Sequence, residues 1–449
     1  MNFEEIENNK EKKKYFILIY LTFILLYDIL FLVVCLRRIL LLVGNAIIGQ
    51  SGGPTSAINA TLSGVIRGAS SSKSIKKLFG MKNGIEGFLN ENLVDLSYLF
   101  DNEEQLFLLE STPSSALGSC RVRLPNIEED PEFYKRIFEI FKRNDIRYFL
   151  YIGGNDSMDT VSKINEYSKI CDYEIRVIGI PKTIDNDLVI TDHTPGFGSA
   201  AKYIATTIKE IASDTAAYLC KSVTIVEIMG RDAGWLAASA GLPKYFGNEG
   251  ADLIYLPEID FDNEKFISSV NKLLYKKSSV VIAVSEGIKY SSGIYVSENA
   301  KGVDADAFGH KSLAGTGKAL ELLIKKHIGC KVRSVELNLP QRCSSHIASA
   351  TDILESISIG KYAVECAVNG ISGKMVIFKR KSSKHYEIEL SYENVEKIAN
   401  QVKYLPANYM CPDKSNVTRE CMEYIAPLII GERNIKYENG LPVHFKIRG

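Results

Sequence analysis

The chain has 449 residues, 46% of them apolar, with 54 basic and 54 acidic side chains and a formal charge of zero. That length suits two or three domains, or one large two-lobed body with a full core. The balance of charge excludes an overall basic nucleic-acid binder. Nine scattered cysteines without a Cys-x-x-Cys pair exclude a disulfide scaffold or a zinc site and fit a reducing compartment.

In chain order, the first feature is "KEKKK" (10–14), followed by an apolar run over 15–36 whose one charge is Asp28, and then by Arg37 and Arg38. The run is long enough to span a bilayer and too long for the core of a signal peptide. The basic residues around it would place the N-terminus in the cytoplasm and all that follows outside, which conflicts with the reduced cysteines. Two readings stay open: an anchor, or a stretch upstream of the true start. The next methionine, Met81, lies beyond the first glycine-rich turn.

From residue 44 onward, short β-rich runs alternate with helical stretches. The runs are "GNAIIG", "RYFLYIG", "IRVIGI", "SVTIVEIM", "DLIYL", "SVVIAVS" and "KVRSVEL". The spacing predicts amphipathic helices over 133–145, with Phe133, Ile137, Ile140 and Phe141 on one face, and over 198–214 and 262–277. Strand–helix–strand repetition implies a mainly parallel sheet covered on both faces, with ligands at the carboxyl ends of the strands.

The residues after each strand carry the chemistry. "GQSGGPTSAIN" brings Gly49, Gly52 and Gly53 to a turn, and Pro54 and Thr55 suit the opening of a helix, a setting that favours an anion. "YIGGNDSMDT" presents Asn155 and Asp156, with Ser157 positioned to begin a helix; Asp159, a turn further on, reads as helix support. "GIPKTIDNDL" sets Lys182 beside Asp185 and Asp187. "EIMGRDAGW" and "LPQR" place Arg231 and Arg342 at strand ends, where each can grip a phosphate. "VSEGI" adds Glu286, and Arg121 and Arg333 are further basic candidates. "AGTGKA" (314–319) fails as a P-loop, because Ala319 follows Lys318 and the first glycine is missing. Any one of these motifs has a plain structural reading. Arginines for two phosphate groups together with Asp and Asn oxygens for a hard cation suggest phosphoryl transfer with Mg²⁺.

In this order, "SGGP", "GGNDS", "PKTIDND", "PGFGSAAKY", "EIMGR", "SEG" and "LPQR" resemble the phosphofructokinase family over roughly residues 44–430. The resemblance implies an α/β architecture of two doubly wound Rossmann-like lobes with mainly parallel sheets and the active site in the cleft between them. Residues 1–43 would be an N-terminal extension. Residues 44–198 plus about 343–390 would form the phosphoryl-donor lobe, and 199–342 plus about 391–449 the fructose 6-phosphate lobe. It also implies a glycolytic, cytoplasmic enzyme that assembles as a homodimer or homotetramer, with membrane association through 15–36 left open.

Carried over residue by residue, the resemblance puts Gly53 and Arg121 at the donor phosphates. Asp185 becomes the general base toward the sugar 1-hydroxyl, with Thr183 at the transferring group and Ile184 beside them among the sugar contacts. Met229, Gly230, Arg231 and Glu286 would bind fructose 6-phosphate. Arg342, with Arg333 from a neighbouring subunit, would clamp the 6-phosphate. Leu339 stands where the family usually has a histidine or tyrosine sugar contact. Asn155 replaces the family's metal aspartate, so Mg²⁺ would lean on Asp187, Asp185 and the donor. Asp156 and Lys182 match diphosphate-using members, whereas ATP users have glycine at both positions. Physically, Asp156 puts a carboxylate where a nucleotide α-phosphate would sit, and Lys182 puts a cation near the bridging oxygen. The expectation is reversible Mg²⁺-dependent transfer from diphosphate to fructose 6-phosphate. The alternatives are an ATP-dependent 6-phosphofructokinase and a membrane-tethered, non-catalytic sugar-phosphate binder.

Overall fold

A computed structural model describes residues 22, 42–299, 315–382 and 385–447. The apolar run at 15–36 lies outside the described residues, Thr22 excepted; among the described residues no helix is long and apolar enough to cross a membrane.

Two sheets organise the chain. The first has seven strands in the order β11-β10-β5-β4-β1-β2-β3: β1 (Gly44–Gln50), β2 (Ile75–Met81), β3 (Leu93–Asp95), β4 (Ile146–Gly153), β5 (Arg176–Pro181), β10 (Lys374–Ser382) and β11 (Glu387–Asn394). The second has the order β7-β8-β6-β9, from β6 (Ser222–Ile228), β7 (Leu253–Tyr255), β8 (Ser279–Ser285) and β9 (Lys331–Glu336). All pairs within these two sheets are parallel except β2–β3 and β10–β11. The near-continuous apolar sequences of β1, β4 and β5 follow from burial on both faces. One face packs against α1 (Ile58–Ser70) and α8 (Ala350–Val368). The other packs against α2 (Pro131–Arg143) and α3 (Asn155–Ile170). A further core gathers α4 (Phe197–Ala216) and Trp235 over the second sheet, whose other face is covered by α5 (Asn263–Lys276) and α6 (Thr316–His327).

The helix boundaries have local causes. α2 begins two residues before the expected 133, because Asp130 accepts from the Phe133 N–H at 3.0 Å and Pro131 occupies the first turn. Asp262 caps α5 by accepting from Glu264 and Lys265 N–H. α1 opens at Ile58, later than Pro54–Thr55 suggested, leaving 51–57 as an irregular loop. α3 opens at Asn155, ahead of Ser157, and Asp159 pairs with Lys163 at 2.8 Å inside it.

The strand order fixes where ligands bind. In the first sheet the chain leaves β1 toward β2 and β3, then returns to β4 on the other side of β1. In the second sheet β6 lies between β8 and β9. At such switch points neighbouring connections diverge and open a crevice at the carboxyl ends of the strands. The loops after β1, β4 and β5 and those after β6, β8 and β9 carry most of the expected site residues.

Candidate active site

The loop after β1 is held by Ser51 N–H on Ile152 O at 2.9 Å and Gly52 N–H on Cys120 O at 3.2 Å. A Cβ at Gly53 would stand 3.0 Å from Nη1 of Arg342, so a larger residue would push the guanidinium aside by a few tenths of an ångström. Lys182 Nζ reaches back from β5 to donate to Gly53 O at 2.7 Å. These loops enclose a cavity of about 200 Å³ lined by Gly53, Arg121, Asn155, Asp156, Lys182, Thr183 and Asp187, among others.

Three cations converge on this cavity. Burial pushes the Lys182 ammonium down to about 8; Asp185 and Asp187 oppose that shift, while Arg342 and Arg121 add to it. Arg342, on α7 (Pro340–Cys343), is likewise lowered by burial and then by Arg121. Like charges held this close are tolerable where a polyanion is to sit between them. At the outer edge, Arg123 Nε and Nη2 both donate to Asp156 Oδ1, at 3.0 and 2.7 Å.

The two carboxylates after β5 are a coupled pair. Burial raises Asp185, and so do Asp187 and Glu286, against the pull of Lys182. Asp187 is raised by burial while Thr183 and Lys403 hold it back. Thr183 Oγ1 accepts from the Asp185 N–H at 3.1 Å, and Thr194 donates to Thr183 O at 2.8 Å. Asn186, between the carboxylates, is fully buried with φ of 53°, a left-handed conformation that asparagine tolerates.

Asn155 Oδ1 is buried without a hydrogen-bond partner and lines the same cavity as Asp187. An orphaned amide oxygen beside raised carboxylates is an all-oxygen donor set, and Mg²⁺ typically takes one or two carboxylates plus substrate phosphates. The residues therefore fit that cation, although no ready-made cluster of three or more His, Cys, Asp or Glu side chains exists among the described residues.

Across the cleft, Glu286 accepts from Gly230 N–H at 3.2 Å, and burial raises its carboxyl. Arg231 lies near enough to pull that carboxyl back. Met229 N–H donates to Gln341 Oε1 at 3.1 Å. Gln341, inside "LPQR", and Arg123, inside "LGSCRVR", join the site through the fold alone, by their contacts with Met229 and Asp156.

Three expected residues stand apart from the cleft's side-chain cluster. Ile184 is 6% exposed and packs in the second core, so only its backbone is available to a substrate. Leu339 is 57% exposed. Arg333 lies on the edge strand β9, in a shallow pocket with Asp214, Tyr218, Thr224 and Lys331. The "AGTGKA" helix start is already taken: Glu227 accepts from Gly315 and Gly317 N–H at 3.2 and 2.7 Å.

Two facing switch-point crevices, one ringed by cations around an anion-sized cavity and the other by sugar-type polar groups with a buried carboxylate pair between them, define a phosphoryl-transfer enzyme of the α/β class. The chain belongs to the phosphofructokinase family, described as Phosphofructokinase, whose pattern matches residues 45–367. It is similar to the pyrophosphate–fructose 6-phosphate 1-phosphotransferases of Halomonas elongata (40% identical, covering 89% of this chain and 94% of that protein) and of Xanthomonas campestris (39%, covering 90% and 96%). Its fold matches the crystal structure of the pyrophosphate-dependent phosphofructokinase from Nitrosospira multiformis with a TM-score of 0.80 at 37% identity, over 89% of this chain and 95% of that one.

Proposed function

We propose that this enzyme transfers a phosphoryl group reversibly from diphosphate to the 1-hydroxyl of fructose 6-phosphate, giving fructose 1,6-bisphosphate and phosphate. The observation that carries the choice of donor is the cavity after β1 and β4. At about 200 Å³ it is smaller than the roughly 300–1,000 Å³ pockets that hold drug-sized ligands. Asp156 and Lys182 both line it. A nucleotide donor would have to extend past the Asp156 carboxylate, meeting like charge and bulk. Diphosphate ends there.

The roles in this reading are those the family resemblance implies, and the geometry supports them where it brings the residues together. Gly53, Arg121 and Lys182 bind the donor, and Lys182 counters charge that builds on the bridging oxygen. Asp185 accepts the proton of the sugar hydroxyl; its raised affinity for protons suits a base that must take one from an alcohol. Thr183 positions the transferring group. Met229, Gly230, Arg231 and Glu286 hold the sugar; Arg342, given to the sugar phosphate by the resemblance, stands here at the donor loop beside Gly53. Asn155 and Asp187 would hold Mg²⁺, which when bound shields the negative charge of the donor.

The lobes of this reading are 44–198 with about 343–390 and 199–342 with about 391–449. Support comes from the first sheet drawing on 44–181 and 374–394 and the second on 222–336. The eight described cysteines are free thiols, which supports a cytoplasmic site of action.

Assaying the chain with fructose 6-phosphate and Mg²⁺ tests the donor directly. Turnover with diphosphate and little with ATP is expected. Asp156→Gly combined with Lys182→Gly should then raise the relative use of ATP. An undiminished diphosphate preference in the double variant would overturn this account of donor choice.

A further inference from the structure

The base-bearing turn is backed by a lysine from far along the chain. Lys403 lies beyond the family match that ends at residue 367, in an irregular stretch after β11. Its Nζ donates to Asn186 Oδ1 at 3.1 Å, to Thr191 O at 3.2 Å and to Asp192 O at 2.9 Å. Three acceptor oxygens match the three N–H groups of the ammonium form, which burial pushes down to about 7 while Asp192 and Asp187 favour it. Its own backbone N–H donates to Asp187 O at 2.7 Å. Its carbonyl is tied to Trp235 Nε1 at 2.9 Å, and its ammonium stands 5.2 Å from the indole centroid. One residue therefore grips the turn at Asn186 and at Asp187, while Trp235 holds that residue in turn.

Asn186 is used from both sides. Its Nδ2 donates to Tyr424 Oη at 3.0 Å, and Tyr424 donates to Asp192 O at 2.5 Å. Arg380 holds the Asp192 carboxylate at 2.9 Å and the Tyr424 carbonyl at 3.0 Å. The left-handed backbone at Asn186 turns the chain between Asp185 and Asp187, so its orientation sets the direction in which the base points.

We propose that Lys403 is a positioning residue for phosphoryl transfer: through Asn186 and the Asp187 carbonyl it fixes the Asp185–Asn186–Asp187 turn in the geometry that the base requires. Lys403 is not among the residues that line the donor cavity. Its removal acts on the chemical step, while the sugar contacts at Arg231, Glu286 and Arg342 come from other elements and stay in place. The inference rests on the phosphotransferase reading only for its kinetic consequence.

The experiment compares the full chain with Lys403→Met and Lys403→Gln. A small displacement of a catalytic group costs up to about 100-fold. With diphosphate and fructose 6-phosphate, Lys403→Met should lower kcat by about 10- to 100-fold and change KM for fructose 6-phosphate by less than about 3-fold. Adding Asn186→Ala to Lys403→Met should cost far less than the product of the two single effects, since both act through one turn. Amide hydrogen exchange over residues 183–192 should quicken in Lys403→Met while β1 and β4 stay protected. Should Lys403→Met fail to fold, Lys403→Gln is read by the same criteria. An unchanged kcat in a folded variant overturns the proposal, as do strictly multiplicative effects with Asn186→Ala. If the unaltered chain turns over with neither diphosphate nor ATP, the phosphotransferase reading fails instead. Hydrogen exchange then decides the positioning claim alone, and an unchanged 183–192 profile would sink it.

Discussion

In the proposed mechanism Asp185 is a base made usable by its surroundings. In water its carboxylate would hold a proton only below about pH 3.9 and would attract the proton of an alcohol feebly. Burial, Asp187 and Glu286 raise its affinity, and Lys182 limits the rise. Removing it by Asp185→Ala should lower kcat by about 10²–10⁴-fold, the range in which general-base catalysis contributes. The pH profile follows from the signs. The base must be ionised, so kcat/KM should climb with pH through an acid limb well above the ordinary aspartate range. Lys182 must be a cation, and its ammonium and the Asp185 carboxyl are both pushed to about 8, so the rising and falling limbs should meet in a narrow bell near that pH. Asp187→Asn deletes one of the groups that raise Asp185, and the acid limb of its residual activity should move to lower pH. A limb that stays in place would mean that burial alone sets it. Asp185, Lys182 and Asp156 were legible from sequence because each closes an apolar strand, where charge is not needed for packing. Lys403 and Tyr424 were not, since they meet Asn186 across 217 and 238 residues of chain, a distance no local pattern encodes.

Elements carry the site by packing closely behind it. α1 follows the donor loop, and α8 crosses it with backbone against backbone. A Cβ on Gly64 would fall 2.0 Å from Ile357 O, and one on Gly360 would fall 2.2 Å from Thr61 O. Those neighbours are carbonyls, which cannot rotate aside as a side chain can. At the start of α8, Asp352 accepts from Gly196 N–H and Ser199 N–H, both at 2.9 Å, and so anchors the beginning of α4. Gly64→Ala should therefore force the helices apart and cost about 1–3 kcal/mol, the usual range for overpacking. It should be read as a lower urea midpoint at unchanged slope. An unshifted midpoint would show that the crossing gives way freely. The parallel strands β1, β4, β5, β6 and β8 could be read from sequence because burial on both faces keeps their apolar runs unbroken. β2 escaped notice because Lys76 and Lys77 interrupt it on the exposed side. β11 escaped because it is an edge strand alternating exposed and half-buried positions. The late opening of α1 was equally hidden, since the 51–57 loop is shaped by contacts with Cys120 and Ile152 from other segments.

At the scale of the whole molecule, one expected site residue is out of place for a single chain. Arg342 reaches the cavity next to Gly53, but Arg333 sits on the exposed edge of the second sheet among Thr224, Lys331 and Tyr218. A phosphate clamp needs its cations within hydrogen-bond reach of one anion. If Arg333 serves the sugar phosphate, it serves that of a second copy, and each site is then built from two chains related by symmetry. Arg333→Ala should raise KM for fructose 6-phosphate with little effect on kcat, because the arginine binds a group remote from the reacting hydroxyl. Asp185→Ala should cut turnover by about 10²–10⁴-fold with sugar binding retained. The two defects would then fall in different chains of a mixed assembly. One site of each mixed pair would combine the Asp185 of one copy with the Arg333 of the other and be intact, while its mate would carry both defects. Dissociating and reassembling equal amounts of the two variants should restore sugar affinity to the active fraction, visible as a low-KM component absent from both parents. If the mixture is merely the sum of its parents, each chain binds its sugar phosphate alone, and Arg333 belongs to the surface of the second sheet and not to the site.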